Sequence, residues 1–297
     1  MSLRSKLYFG VYMRFMLDHF YETVIGREYE RRKGRKLDWD NPKDINEKIY
    51  WLMSRTDTSM WSYCADKVLV REYVSSKGLG DLLIPLLGVW DSAEDIDFDS
   101  LPDKFVLKCN HDSGSFRIVD KTRGFDPVAI RDHFSRRLGR KIGYINGELY
   151  YNKIKPKVLA EPFLGEDSHG LVDYKIRCFD GKPFSITTCS DRTDNAIRLG
   201  LYDLDWNAHP ESLVFSDTTL DGIGLVPKPD CLDRMLEVAS ILSEGFPQVR
   251  VDLYVIGDKI YFGELTFSSG GRMSYFTDDY LVELGRKCVL PMETKMP

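Results

Sequence analysis

The feature that most constrains the fold is a stretch near the C-terminal end whose pattern is typical of a β-hairpin. Read from Gln248, its sequence is QVRVDLYVIGDKIYFGELTFSSGG. Apolar and polar residues alternate over 249–255, a Gly-Asp pair supplies a tight turn, and a second strand pattern follows. Because side chains two positions apart on a strand share a face, Arg250 and Asp252 point the same way, and the hairpin can bring Glu264 beside Asp252.

The charged side chains of this hairpin indicate phosphate chemistry. Two carboxylates and an arginine are costly on strands this apolar unless they have a function. A carboxylate pair that faces one way is a hard-oxygen site suited to Mg²⁺, which takes few carboxylates together with substrate phosphates. A chain with such a site also needs a pocket for a nucleotide.

Composition and charge are those of a globular protein. The 297 residues are 43% hydrophobic and 29% charged, which is ordinary for globular domains. A net charge of -5 gives no general reason to expect nucleic-acid binding. The six cysteines show no zinc spacing and are interpreted as free thiols of a reducing compartment.

The apolar N-terminal stretch does not read as a membrane segment. Arg4, Lys6, Arg14 and Asp18 interrupt it, which argues against a signal peptide or a membrane span. We expect a helix packed on the body of the protein, although an interfacial helix is an alternative. The expected location is the cytoplasm, without stable membrane insertion.

Strand and helix patterns along the chain indicate an α+β protein rather than a doubly wound parallel sheet. Helical patterns cover 7–32, 44–52, 60–76, 127–138, 229–243 and 277–288. Strand patterns cover 82–90, 105–109, 116–119, 157–164, a hairpin over 172–188 and the C-terminal hairpin. The polar segment 191–219 is interpreted as irregular, and Asp230 is expected to cap the helix that follows.

The sequence contains neither of the common nucleotide-binding motifs. The Walker pattern and the dinucleotide glycine fingerprint are both absent. A cradle of another kind is present where a strand ends in Lys108 and the loop 110–115 follows. The lysine offers a cation, and the Ser-Gly-Ser loop offers backbone N–H donors to phosphate oxygens. An ordinary turn between two strands is the alternative for this loop.

The order of these features resembles the ATP-grasp superfamily, and in particular its TupA-like branch. In chain order they are Asp66-Lys67 with Arg71, the strand ending in Lys108, the Ser/Gly loop, the strand with Glu161, Arg250-x-Asp252 and Glu264. The likeness to the TupA-like branch extends to Asn46-Glu47-Lys48-Ile49, Asp203-x-Asp205-Trp206 and Gly263-Glu264-Leu265-Thr266-Phe267. It implies two α+β lobes that enclose ATP. The implied units are a helical N-terminal segment over 1–65, a linking region over 66–104, a small lobe over 105–160 and a large lobe over 161–297.

The resemblance also implies an ATP site. Lys108 would contact the α- and β-phosphates, and Arg71 would stand where relatives often have a first phosphate-contacting lysine. The loop 110–115 would close over the β- and γ-phosphates, and backbone groups after Pro162, which has no N–H, would bind the adenine edge. The expected cofactor-binding residues are Arg71, Lys108, His111, Ser113, Gly114, Ser115, Lys157, Glu161, Phe163 and Leu164.

In the hairpin, the resemblance implies a magnesium site and a catalytic arginine. Asp252 and Glu264 would bind Mg²⁺, with Thr266 where many relatives have asparagine, which leaves one or two metal ions open. Arg250 would stabilise the charge on the transferred phosphoryl group. Lys175 and Arg177 share a strand face and are expected to bind phosphate or an acidic acceptor, with a structural ion pair as the alternative. The acceptor is expected at Ser268, Ser269, Gly270, Gly271 and Arg272.

The implied activity is that of an ATP- and Mg²⁺-dependent carboxylate–amine ligase that forms an acylphosphate and releases ADP. The TupA-like branch is associated with teichuronopeptide and other surface-polysaccharide synthesis. The expected substrates are therefore a uronic-acid or similar carboxylate of a capsule or O-antigen saccharide, and an amine such as an amino acid. Two alternatives stay open: a nucleotide-sugar glycosyltransferase that uses one of the Asp-x-Asp pairs, and a kinase with the same fold.

Overall fold

The computed structural model describes residues 3–165, 171–190, 197–215, 220–268 and 275–291. The α-helices of these residues are α1 (Leu3–His19), α2 (Tyr21–Lys33), α3 (Ile45–Arg55), α4 (Ser59–Ala65), α5 (Val70–Ser76), α6 (Pro127–Leu138), α7 (Ile142–Asn146), α8 (Leu232–Ser243) and α9 (Asp278–Lys287). The strands are β1 (Gly88–Trp90), β2 (Lys104–Cys109), β3 (Arg117–Asp120), β4 (Val158–Pro162), β5 (Asp173–Phe179), β6 (Lys182–Ser190), β7 (Ile197–Tyr202), β8 (Leu220–Ile223), β9 (Val249–Ile256) and β10 (Lys259–Thr266).

The strands form two separate sheets, and the α+β prediction is confirmed. The small sheet has the order β1-β4-β2-β3, and all of its pairs are antiparallel. The large sheet has the order β10-β9-β5-β6-β7-β8, and only its last pair is parallel. Each sheet has its own buried core. The small sheet packs against α6 through Phe105, Leu107 and Phe134, while the large sheet packs against α8 and also buries residues of α3, α4, α5 and α9.

The N-terminal helices pack on this body through a third buried cluster, which includes Leu17, Ile25 and Tyr29. The helix α3 begins at Asp44, whose carboxylate accepts the backbone N–H groups of two following residues while Glu47 completes a capping box. No helix in the described part of the chain is both long and apolar enough to cross a membrane. The predicted domain boundaries stay a prediction. The structure adds that β1 belongs to the small sheet although it lies in the expected linking region.

Four local predictions were wrong. The helix expected over 60–76 is broken: α4 ends at Ala65, the carboxylate of Asp66 accepts the backbone N–H of Val68 in a turn, and α5 begins only at Val70. The segment 191–219 contains the strand β7, whose apolar residues were masked by its polar surroundings. The helix α8 starts at Leu232 after Cys231 rather than at an Asp230 cap. Of the run 82–90, only the last three residues form a strand.

A β-bulge at Gly263 decides where Glu264 points. Phe262 lies opposite Leu253, but the register then shifts by one residue, so Glu264 lies opposite Asp252. Without the bulge, strand alternation would turn Glu264 into the apolar core. Glycine is required there because a Cβ atom on Gly263 would lie 2.9 Å from the carbonyl oxygen of Asp252.

Candidate active site

The register of β5, β9 and β10 gathers charged side chains on one face of the large sheet. Asp252 lies opposite both Glu264 and Lys175, and Arg250 lies opposite Arg177. Since residues opposite each other share a face, these strands form a single charged surface. We call it the catalytic face, and its members are Asp173, Lys175, Arg177, Arg250, Asp252, Glu264 and Thr266.

Asp252 is the centre of this face. Its side chain is 2% exposed, and Arg250 donates to both of its oxygens, at 2.6 and 2.7 Å. Lys175 donates to Asp252 at 2.7 Å and to Asp173 at 2.5 Å. Burial alone would lower the pKa of Lys175, but the two carboxylates outweigh it and raise the pKa, so the lysine is charged. The network therefore fixes two cations around a buried carboxylate.

Glu264 is the carboxylate of this face that reaches solvent. Its side chain is 34% exposed, with Lys67 at 3.5 Å and Arg250 at 3.7 Å. Burial would raise the pKa of Glu264, but Lys67, Lys175 and Arg250 lower it to about 2, so the group is ionised at neutral pH. The Thr266 hydroxyl donates to Glu264 at 3.2 Å and accepts from Arg250 at 3.0 Å. Thr266 thereby orients both charged groups.

The carboxylates of the catalytic face suit a Mg²⁺ ion that takes its other ligands from phosphate and water, rather than a metal site made entirely of protein ligands. Asp252 and Glu264 are cross-strand partners on β9 and β10 and supply the hard carboxylate oxygens that Mg²⁺ prefers. In the described ranges, no group of three or more His, Cys, Asp or Glu residues is arranged to hold a metal ion. A magnesium ion here would therefore be held by these two carboxylates and by phosphate oxygens.

The small sheet presents a different surface on the side of Lys108. Lys108 forms a 2.5 Å ion pair with Glu161 on the neighbouring strand. By strand alternation, Val106 and Ile118 share this side, and Ile118 is 48% exposed. Arg71 on α5 is half-buried. Burial lowers the pKa of Arg71 and the negative charge of Glu161 opposes this shift, so Arg71 lies near the Lys108–Glu161 ion pair. We call this surface, with its cations next to open apolar groups, the binding face.

The loop after Lys108 is anchored at both ends. Asn110 bonds through its side chain to Asp66 at 2.9 Å and accepts from the backbone of Lys157 at 2.7 Å. Asp112 is fully buried and pairs with Arg137 of α6 at 2.9 Å. Ser115 is buried, and its hydroxyl oxygen accepts the backbone N–H of Cys109 at 3.1 Å.

Only the tip of this loop is exposed. Ser113 and Gly114 lie at the surface, and Gly114 has a φ of +72°. His111 is 2% exposed, and burial lowers its pKa. Of the predicted loop residues, Ser113 and Gly114 are therefore the ones placed to meet a ligand, whereas His111 and Ser115 hold the base of the loop.

Lys67 connects the two faces. Its ammonium group donates to the backbone carbonyl of Asp112 at 2.8 Å and lies 3.5 Å from Glu264. The sequence analysis assigned the phosphate contact of this region to Arg71 and missed Lys67. The usable signal was the Asp66-Lys67 pair, because an aspartate carboxylate that accepts the N–H two residues later closes a turn, and this turn carries Lys67.

A comparison with protein-family models identifies the family of this chain. The family model described as TupA-like ATPgrasp matches residues 47–289. The chain belongs to this family. Its fold is accordingly the ATP-grasp fold, as predicted. No curated protein matches the sequence at a significant level.

Solved structures similar to this ATP-grasp chain are distant from it. The D-alanine–D-alanine ligase of Bacillus anthracis complexed with ATP is 15% identical, with a TM-score of 0.46 over 79% of this chain and 67% of that chain. The ATP-grasp ligase PsnB, complexed with a phosphomimetic variant of its minimal precursor, Mg and ADP, is 11% identical. Its TM-score is 0.40, over 93% of this chain and 72% of that chain.

Several residues expected at the ATP-grasp site have other partners. Lys157 pairs at 2.6 Å with Asp91, whose side chain is 55% exposed. The ammonium group of Lys104 lies 3.6 Å from the ring centroid of Phe163, and Leu164 follows it, partly exposed. Ser268 is buried and hydrogen-bonds Tyr150 at 2.7 Å. The other expected acceptor residues, Ser269, Gly270, Gly271 and Arg272, lie outside the described residues.

Of the four Asp-x-Asp pairs that favoured a glycosyltransferase, which also include Asp95/Asp97, three form turns in this structure: Asp38/Asp40, Asp97/Asp99 and Asp203/Asp205. The first carboxylate accepts the backbone N–H of the second aspartate at 3.1 Å for Asp38, 3.1 Å for Asp97 and 3.0 Å for Asp203. Aspartate side chains commonly close turns in this way. The spacing of these pairs therefore has a local structural explanation.

Proposed function

We propose that this chain is an ATP- and Mg²⁺-dependent carboxylate–amine ligase that works through an acylphosphate. The observation that carries the proposal is the position of Lys67. This one side chain contacts the loop that follows Lys108 and also lies 3.5 Å from Glu264. A phosphate chain held by the loop would therefore lie within reach of the carboxylates of the catalytic face.

The binding face supports ATP recognition. Lys108, Arg71 and Lys67 supply cations for the phosphates, and the exposed tip of the loop offers backbone N–H groups. The open apolar surface at Val106 and Ile118 suits a purine ring. The adenine edge would be bound by backbone groups near Phe163 and Leu164.

The catalytic face supports phosphoryl transfer. Asp252 and Glu264 would hold Mg²⁺, which neutralises charge on phosphate oxygens when it is bound. Arg250 and Lys175 are already fixed by Asp252, so they need no reorganisation to stabilise charge that develops during transfer.

The proposed reaction has two steps. A carboxylate oxygen of the first substrate attacks the γ-phosphorus, the bond to the β-phosphate oxygen breaks, and ADP leaves. The amine then attacks the carbonyl carbon of the acylphosphate, which releases inorganic phosphate and a proton as the amide forms. No side-chain nucleophile is needed, and closure of the loop over the site would exclude the water that hydrolyses acylphosphates.

We assign the substrates by class. From the resemblance to the TupA-like branch, we propose a carboxylate on a uronic acid or similar sugar of a capsule or O-antigen saccharide and an amino acid as the amine, with the reaction in the cytoplasm. The kinase alternative shares the first half of the chemistry, because a hydroxyl would replace the carboxylate as the phosphoryl acceptor.

A product assay tests the proposal. The protein is incubated with Mg²⁺, ATP, uronic acids and amino acids in pairs, and the nucleotide products are separated. We expect ADP release that depends on both substrates, together with an amide detectable by mass. Release of ADP with a sugar alone and a phosphorylated hydroxyl would support the kinase, and turnover of a UDP-sugar without ATP would refute both.

A further inference from the structure

Arg177 is a buried arginine on the catalytic face that the proposed phosphoryl transfer does not use. It is 4% exposed and lies directly opposite Arg250 on the neighbouring strand. Like charges directly opposite each other in a sheet are destabilising, and a buried charge is costly without a partner. This position therefore needs either a local carboxylate or an anion from outside the chain.

The carboxylates near Arg177 have other partners. Asp252 pairs with Arg250 and Lys175, and Asp173 pairs with Lys175. In the part of the chain that the structure describes, no carboxylate lies within ion-pairing distance of the Arg177 guanidinium. The three cations and three carboxylates of the catalytic face are equal in number, but among the described residues Arg177 is the cation that forms no ion pair with any of them.

The other neighbours of Arg177 bring no negative charge. Tyr275 is in electrostatic contact with both Arg177 and Arg250, and Tyr280 is in contact with Arg177. Tyrosine hydroxyls are neutral at physiological pH, so they can hydrogen-bond an anion but cannot replace it. Burial lowers the pKa of Arg177 and Arg250 adds to the shift, while Tyr275, Tyr280 and Asp252 oppose it.

The position of Arg177 separates this charge from the proposed phosphate site. Arg177 is two residues beyond Lys175 on β5, about 6.7 Å along the strand. Lys175 and Asp252 mark the region of the metal and the γ-phosphate, and the guanidinium of Arg250 reaches along its own strand to Asp252 at 2.6 Å although its backbone lies opposite Arg177. An anion at Arg177 would therefore be a different group from the phosphoryl group that is transferred.

We propose that Arg177 forms a carboxylate-binding subsite, separate from the phosphate site, which holds a non-reacting carboxylate of one of the two substrates. The guanidinium fork matches a carboxylate in two parallel hydrogen bonds. The substrate is then either an acid with a second carboxylate or an α-amino acid that acts as the amine. This inference rests on the ligase function proposed above and narrows its substrates.

The first test is the stability of the ligand-free protein. Arg177→Met removes the charge with little change in volume, and thermal unfolding is measured in dilute Tris buffer. A subsite arginine carries a cost in the empty protein, so we expect the variant to melt at the same temperature as wild type or higher. A clear loss of stability would show that Arg177 is a structural residue and would overturn the subsite. Arg177→Lys keeps the charge and is expected to melt like wild type.

The second test is anion dependence of the melting temperature. Wild type, Arg177→Met and the exposed-arginine control Arg234→Met are titrated with succinate against succinamate, and with glycine against glycinamide. Each pair differs by one carboxylate. In one of the two pairs, we expect the compound with the additional carboxylate to raise the melting temperature of wild type and of the control more than its amide partner does. Arg177→Met should bind that carboxylate compound about tenfold or more weakly.

The outcome of these titrations identifies the source of the carboxylate. A difference for succinate indicates a diacid substrate, and a difference for glycine indicates an amino acid. Equal responses of wild type and Arg177→Met to both pairs would overturn the proposal. Neither measurement involves ATP turnover, so failure of the ligase assay and failure of the subsite are distinguishable.

Discussion

The binding face and the catalytic face are both built on antiparallel strands, but they hold their charges in opposite ways. On the binding face one ion pair, Lys108 with Glu161, lies beside an apolar surface whose Ile118 is 48% exposed. On the catalytic face Asp252 is 2% exposed and holds two cations at once. The binding face is open and carries few charges, whereas the catalytic face is buried and its charges are paired with one another.

This difference matches the two tasks of a phosphoryl-transfer enzyme. Binding of a purine gains from apolar surface that is still in contact with water before the ligand arrives. Stabilisation of a transition state gains from charges that are already fixed, because no reorganisation is then needed. The catalytic face opens to solvent at Glu264, so we expect changes there to affect turnover and changes on the binding face to affect ATP affinity.

The largest effect is expected from Glu264→Gln. The substitution keeps the size of the side chain but removes the charge that holds Lys67 and would hold Mg²⁺. We expect turnover to fall by about 100-fold or more, with the folded state retained by circular dichroism. The matched control is Glu244→Gln, which removes the carboxylate of an exposed ion pair with Lys77. Normal turnover of Glu264→Gln would remove the metal site from the catalytic face.

A smaller effect separates two lysines that the sequence treats alike. Lys108 faces Glu161 on the binding face, whereas Lys157 pairs with the exposed Asp91. We expect Lys108→Met to raise the KM for ATP by about tenfold or more, because a charge-assisted phosphate contact is lost. Lys157→Met should stay within about twofold, since exposed ion pairs contribute little. Equal effects of the two variants in steady-state kinetics would place both lysines at the nucleotide.

The hairpin shows how much of this site could be predicted from the sequence. Alternation placed Arg250 and Asp252 on one face, and the apolar spacing 260, 262, 265, 267 already contains the one-residue shift that the bulge at Gly263 produces. The pairing of Glu264 with Asp252 was therefore predictable, because it depends on local pattern.

The parts that could not be predicted depend on contacts distant in sequence. Lys67 reaches Glu264 across 197 positions of the chain, and no local pattern encodes that approach. The ion pair of Lys157 with Asp91 likewise joins residues that are distant in sequence. Arg177 was expected to bind phosphate or an acidic acceptor, but that the carboxylates near it in the described strands pair with other cations is visible only once three strands are aligned.

The smallest expected effect is a pH dependence that distinguishes the two faces. At the base of the loop near the binding face, His111 has a pKa lowered by burial, with Asp112 opposing and Lys67 adding to the shift. The unfolded chain takes up a proton at about pH 6.5, before the folded chain does, so stability should fall as the pH drops below that value. On the catalytic face, the lowered pKa of Glu264, about 2, also makes the folded state less stable as the pH falls. The stability that Glu264 contributes is fully present above the pKa of the unfolded chain, near 4.3, and is lost only below that pH.

Urea unfolding at pH 7.5 and 5.5 checks this expectation. Wild type should lose stability between the two values, and His111→Gln should lose less, because the glutamine cannot be protonated. The control is His19→Gln, which changes an exposed histidine of α1 and should keep the wild-type dependence. An unchanged pH dependence in His111→Gln would mean that the loop base does not sense protons. The two faces would then differ only in exposure and in the number of charges that each carboxylate holds.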